Sequence, residues 1–176
     1  ANSRVLKGMK RAYGAEEVEE RLLAISAKLP HAYVGMDLIA GFPGETLEEF
    51  EEGFARLERL PFTKAHVFPF SVRRNTAAAR LVEAGLAVPA DQIHDRAARL
   101  RQLSEKKFQA SLLSKVGSMV EVLVEEKRVL VGTRSCSQGH ARNFHKVLIP
   151  GTHAANELKR ARIVGVHKDY LKGELV

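Results

Sequence analysis

The sequence predicts an α/β segment followed by a small all-β barrel. Three observations carry that expectation. Helix-like and strand-like apolar patterns alternate through residues 1–114, the spacing changes to every second residue from Val116 onward, and basic charge collects in that second stretch. Residues 1–114 hold 17 Lys and Arg against 15 Asp and Glu, a net of +2, whereas residues 115–176 hold 11 against 6, a net of +5. Two domains follow, 1–114 and 115–176. A basic face on a small domain is the electrostatic footprint of a nucleic-acid binder, and also of any basic solvated surface.

Each element has a local reason. Val18, Leu22, Ile25 and Leu29 recur at helical spacing over residues 15–29, with Glu16, Glu17, Glu19 and Glu20 where they complement the dipole of a helix start. After Pro30, the nearly all-apolar residues 32–40 suit a strand buried on both faces of a parallel sheet. Gly41-Phe42-Pro43-Gly44 ends it. Thr46 with Glu49 spells a capping box, so a helix starts near residue 47. That helix carries Phe50, Phe54, Leu57 and Leu60 on one stripe and stops before Pro61. A second buried strand spans residues 64–70, with Pro69 at its end, where no ladder donor is needed. Residues 71–90 read as irregular. A last long helix opens at Pro89-Ala90-Asp91, with Ile93, Ala97, Leu100, Phe108 and Leu112 near one face and Arg96, Arg99, Arg101, Lys106 and Lys107 on the other.

From Val116, short alternating runs at 119–124, 129–133, 144–149, 162–166 and 170–171 predict four or five strands of a small antiparallel barrel. Barrels of this size commonly bind oligonucleotides. The apolar fraction of 45% is that of a globular protein, and no run approaches the roughly 20 apolar residues of a membrane span. A soluble, cytoplasmic protein is expected. Cys136 is the single cysteine, which excludes an internal disulfide and a multi-thiolate metal site within this chain. The seven histidines form no His-x-x-x-His pair, so no metal ligands are expected among them.

Two segments are candidates for chemistry. Gly41-Phe42-Pro43-Gly44-Glu45-Thr46 joins a buried strand to a capped helix, at the carboxyl end where α/β proteins collect ligands. It is neither a phosphate loop nor a dinucleotide fingerprint, because Gly-Lys-Thr is missing and Pro43 withholds an N–H. A tight structural turn and a ligand contact both remain open. The second segment, residues 68–76, lies just past the next strand on the same rim, and its aromatics, hydroxyl and paired arginines suit an adenine or a carboxylate.

Three runs together, residues 4–13, Asp37-Leu38-Ile39-Ala40-Gly41-Phe42-Pro43-Gly44-Glu45-Thr46, and His66-Val67-Phe68-Pro69-Phe70-Ser71-Val72-Arg73 with Thr76-Ala77, resemble the radical S-adenosylmethionine methylthiotransferases in order and separation. The His-Val-Phe-Pro-Phe-Ser run is most similar to the branch acting on threonylcarbamoyladenosine in tRNA, ahead of the isopentenyladenosine and ribosomal-protein branches. The resemblance implies the C-terminal portion of a partial (β/α) radical barrel, followed by a TRAM domain, an OB-like RNA-binding barrel.

It also implies a chemistry. Full-length members use one [4Fe-4S] cluster to cleave S-adenosylmethionine to a deoxyadenosyl radical, which takes hydrogen from the adenine ring, and a second [4Fe-4S] cluster to deliver sulfur. The cluster cysteines of the family lie upstream of the region matched here, so this chain is expected to be catalytically silent alone, with no catalytic residue of its own. The resemblance makes Ile39 an adenine contact, with Gly41 and Asp37 beside it and Arg11, Phe68, Ser71 and Arg73 toward the cofactor's polar or adenine ends. Asn75 stands where the family usually has Gly, and asparagine tolerates the left-handed backbone such a turn needs. In the tail, Arg134, Arg142, Lys146, Lys159, Arg160, Arg162 and Lys168 are candidates for phosphate contacts with the tRNA anticodon arm. Two readings of other classes stand beside this one, an RNA-binding module without catalysis and an unrelated α/β enzyme with a basic appendage. Exposed strand edges of a partial barrel also predict self-association.

Overall fold

The computed structural model describes residues 2–176 and divides into two compact units, which part between Lys107 and Phe108. The sequence pattern changes period several residues later, near 114/115. The difference arises because the last turns of one long helix pack with the second unit.

The first unit runs α1 (Ser3–Gly8), α2 (Ala15–Lys28), β1 (Gly35–Ala40), α3 (Leu47–Arg59), β2 (Lys64–Pro69), α4 (Ala77–Glu83) and α5 (Ala90–Leu113), the last extending into the second unit. β1 and β2 pair in parallel, with Met36 opposite Ala65 and Ile39 opposite Phe68. The Ser104 hydroxyl pins β2 to α5, accepting from the Ala65 N–H at 2.8 Å and donating to the Ala65 carbonyl at 2.9 Å. Leu22, Ala40, Phe50, Leu57, Phe62, Ala65, Ala97 and Leu100 form the core, with Met36, Leu38 and Val67 packed against it.

Two expectations need correction. β1 is not buried on both faces: Asp37 and Ile39 are exposed while Ala40 is buried. Among the described residues the sheet has two strands, and the core covers the Met36 and Leu38 face while the Asp37 and Ile39 face is left open. Residues 77–83 form a helix, not irregular chain, capped by the Thr76 hydroxyl, which accepts from the Ala79 N–H at 3.1 Å. On the cationic side of α5, Arg96, Arg99 and Lys107 turn onto α3 and its flanks, while Arg101 and Lys106 stay exposed. Arg99 makes a bidentate pair with Glu51 at 2.6 and 2.7 Å and lies over the Phe50 and Phe54 rings, and Lys107 donates to the Glu58 and Leu60 carbonyls at 2.9 and 2.7 Å.

The second unit is a closed five-stranded barrel of β3 (Met119–Val131), β4 (Arg134–Ala141), β5 (Lys146–Pro150), β6 (Leu158–His167) and β7 (Tyr170–Leu175), in the order β3-β4-β5-β7-β6. Val122, Val124, Val147, Ile149, Ala161, Ile163 and Leu171 fill it. It is not purely antiparallel, because β5 and β7 pair in parallel. Two separate runs expected at 119–124 and 129–133 are one strand, bulged between Val124 and Arg128. Its partner β4 has the polar sequence Arg-Ser-Cys-Ser-Gln-Gly-His-Ala, with Cys136, Ser137, Gln138 and Gly139 buried. A Cβ on Gly139 would collide with the Leu123 carbonyl, so the close approach of β3 to β4 requires glycine there.

Candidate functional site

The uncovered face of the parallel sheet opens on a cleft of about 880 Å³ within the first unit. Alternation along β1 puts Asp37 and Ile39 on that face, and the register brings His66 and Phe68 opposite them on β2. Ile39 is 40% exposed and Phe68 52%, although both are large and apolar. Arg11, Asp37, Ile39, Phe68, Ser71 and Arg73 all line the cleft, so six of the seven residues expected at the cofactor come together. Gly41 does not line it. It lies at φ +75° with its α-carbon against α5, where an added Cβ would sit 2.5 Å from Ile93 Cγ1.

The turn that follows β1 is braced from two sides. Glu45 and Arg96 form a buried ion pair at 2.7 Å. Burial pushes the Glu45 carboxyl above its usual range, and the Arg96 hydrogen bond only partly offsets this. On the other side, α1 is capped by Asn2 and carries Arg4, which grips Glu49 with both nitrogens of one guanidinium edge and also donates to the Gly44 carbonyl. That grip holds the Glu49 carboxyl down to about 2. Glu49 closes the capping box with Thr46 at the same time, so one carboxylate ties α1 to the start of α3. Asn75 adopts φ +62°, the left-handed conformation its side chain tolerates, and turns the chain into α4.

On the barrel, the cationic candidates separate by environment. Arg142 pairs with Glu121 at 2.7 Å, Lys159 with Glu157 at 2.8 Å, and Lys146 lies 6.0 Å from the Tyr170 ring centre. Among the described residues, Arg134, Arg160, Arg162 and Lys168 have no carboxylate in ion-pair range. The register places Arg160 opposite Glu121, beside Arg142, and Arg162 one step further along β6. Arg134 stands apart, at the β3–β4 turn, roughly 30 Å along the strand from Glu121 at the rise of an extended chain.

No protein-family model matches the chain. Curated relatives do. The chain is 33% identical over 174 residues to the threonylcarbamoyladenosine tRNA methylthiotransferase MtaB of Chlamydia pneumoniae, covering 98% of this chain and 39% of that protein. It is 31% identical over 173 residues to MtaB of Bacillus subtilis, covering 98% of this chain and 38% of the relative. A tRNA-2-methylthio-N(6)-dimethylallyladenosine synthase of Corynebacterium diphtheriae is 37% identical over 124 residues, 70% of this chain and 23% of the relative. This chain belongs to the methylthiotransferase family. It spans 39% or less of the length of these relatives.

Several further residues line the cleft that were not singled out one by one in the sequence, although they fall within the runs named there. Met9 and Tyr13 come from the segment after α1, and Phe42 and Thr76 from the two turns. Tyr13 follows Arg11 in a run with no periodicity, so only its type, an aromatic among charges, hinted at a role. Phe144, expected to open a strand, instead sits exposed in the β4–β5 turn.

Proposed function

We propose that this chain acts as part of an enzyme that adds a methylthio group to threonylcarbamoyl-modified adenosine beside the anticodon of tRNA. In this proposal the first unit is the C-terminal portion of a radical barrel, and the second is a TRAM domain that grips the anticodon arm. The observation that carries it is the apolar pair Ile39 and Phe68 on the uncovered sheet face, at the cleft that also holds Arg11 and Arg73. An isoleucine and a phenylalanine left open to water at a strand end suit the flat face of an adenine, and the two guanidinium groups suit a carboxylate.

The residues present therefore fit S-adenosylmethionine, which when bound supplies the radical and methyl chemistry of the family. Ile39 and Phe68 would hold the adenine, Asp37 and Ser71 offer polar contacts, and the Glu45–Arg96 pair keeps the turn in place. An iron-sulfur cluster does not fit. The one cysteine, Cys136, is buried in the barrel, and among the described residues no group of three or more His, Cys, Asp or Glu is placed to hold a metal ion. The ligands of both [4Fe-4S] clusters would then come from outside these 176 residues, and the chain alone would not turn over.

The dimethylallyladenosine synthases among the relatives keep a second substrate in play. One assay separates the two: the full-length protein, reconstituted anaerobically, is incubated with tRNA carrying either modified adenosine, and the nucleosides are read by mass spectrometry. Methylthiolation of threonylcarbamoyladenosine is expected. Reaction only at dimethylallyladenosine would move the protein to the other branch, and reaction at neither would overturn the enzyme reading.

A further inference from the structure

We propose that Phe144 is a stacking platform for an unpaired RNA base, presented at the tip of the β4–β5 hairpin between two cations that hold the flanking phosphates. The inference rests on the RNA-binding role proposed above for the barrel and names the group that holds the base. It begins with a residue in the wrong place for folding. The turn is closed by the Ala141 N–H donating to the His145 carbonyl and the Phe144 N–H donating to the Ala141 carbonyl, each at 2.9 Å. This makes a three-residue loop whose last position must be left-handed, a position that favours glycine or asparagine. Phenylalanine occupies it at φ +62°. Its ring is 75% exposed and takes no part in the barrel core. Neither backbone preference nor packing accounts for an aromatic side chain there.

The surroundings specify a ligand. Side chains alternate at the hairpin, so that Arg142, Phe144 and Lys146 are exposed while His145 between them is 1% exposed. The His145 ring stacks on Phe108 with the planes 5° apart, and its Nε2 lies 3.1 Å from the Ser111 hydroxyl, so the base of the loop is anchored. An anchored loop holds the Phe144 ring out at little further entropic cost on binding. A flat apolar face between two cations matches a nucleobase with a phosphate on either side, the arrangement by which single strands are held without sequence readout. Arg160, beside the Arg142–Glu121 pair, extends the cationic track along β6. An anticodon loop offers unstacked bases of the kind this platform takes.

The test titrates the 176-residue chain with an anticodon stem-loop RNA carrying a fluorescent aminopurine in its loop. Wild type should bind and quench the base. Phe144→Gly should weaken binding roughly 5-fold or more and abolish the quench, the loss expected for one base–aromatic stack. Its melting temperature should hold or rise, because glycine relieves the left-handed backbone. Phe144→Tyr should bind as wild type does. Wild-type affinity and quench in Phe144→Gly would overturn the platform and leave the RNA role standing. A collapse in melting temperature with Phe144→Gly would also overturn it, by showing a structural role. No RNA binding by the wild-type chain would overturn the RNA role, and the platform with it.

Discussion

The Arg96 guanidinium and the Glu45 carboxylate meet at 2.7 Å with their side chains 3% and 11% exposed, which locks the turn after β1 to α5. Arg96→Ala leaves a carboxylate buried without its partner and should cost about 3–5 kcal/mol in urea unfolding. The double variant Arg96→Met with Glu45→Gln should recover much of that. The sign with pH is also set. Glu45 is already raised by burial, and losing Arg96 raises it further. A carboxyl raised in the folded state binds protons that the unfolded state has released, so the Arg96→Ala variant should gain stability relative to wild type as pH falls toward the carboxylate range.

Gly41 should tolerate no side chain. An alanine there meets Ile93 Cγ1 at 2.5 Å while holding φ +75°. The expected loss is about 2 kcal/mol or more, from crowding and left-handed strain together. Adding Ile93→Ala should relieve the crowding and not the strain, so thermal melts of the pair would show partial rescue.

His145 should make the barrel acid-sensitive. Burial, then the nearby Lys115 charge, lowers its pKa to about 4. A histidine depressed in the folded state contributes stability above the unfolded value near 6.5, and that contribution drains away as pH falls through about 4. The difference amounts to roughly 3 kcal/mol. Urea midpoints measured from pH 7 to pH 4 should slope less steeply in His145→Phe than in wild type. Equal slopes would show that other groups carry the acid response.

β1 and β2 each pair with only one strand among the described residues, so each offers an unpaired edge. Edges of that kind recruit other strands. Light scattering on the isolated chain should report species larger than a monomer at high concentration, and a strictly monomeric solution at all concentrations would refute the expectation.

What was legible in the sequence was local. Thr46 and Glu49 announced the start of α3, and Leu22, Phe50, Leu57 and Leu100 announced buried faces, because cap and periodicity lie within a few residues of each other. α1 and α4 were missed because six or seven residues hold too little periodicity to detect. β4 was missed because its buried positions are Cys136, Ser137, Gln138 and Gly139, whose partners, such as the Gly151 carbonyl accepting from Ser137 at 3.1 Å, lie on other segments. The inward turn of Arg96 and Arg99 was invisible for the same reason, since Glu45 and Glu51 sit some 50 residues away. Asp37, Ile39, Phe68, Ser71 and Arg73 share the cleft because two parallel strand ends converge, Arg11 joins them from the segment after α1, and Gly41 lies outside, packed against Ile93 of α5.

The split character of the β1–β2 sheet has a consequence for selection experiments. Met36, Leu38, Ala40 and Ala65 face packed neighbours, so substitutions there lower the amount of folded protein. Asp37, Ile39, His66 and Phe68 face open space, so a screen scored on abundance or protease resistance will pass nearly any residue at those positions. Such a screen would rank the cleft among the most permissive surfaces of the molecule, and on the proposed function only selection for modified tRNA would expose the constraint on it.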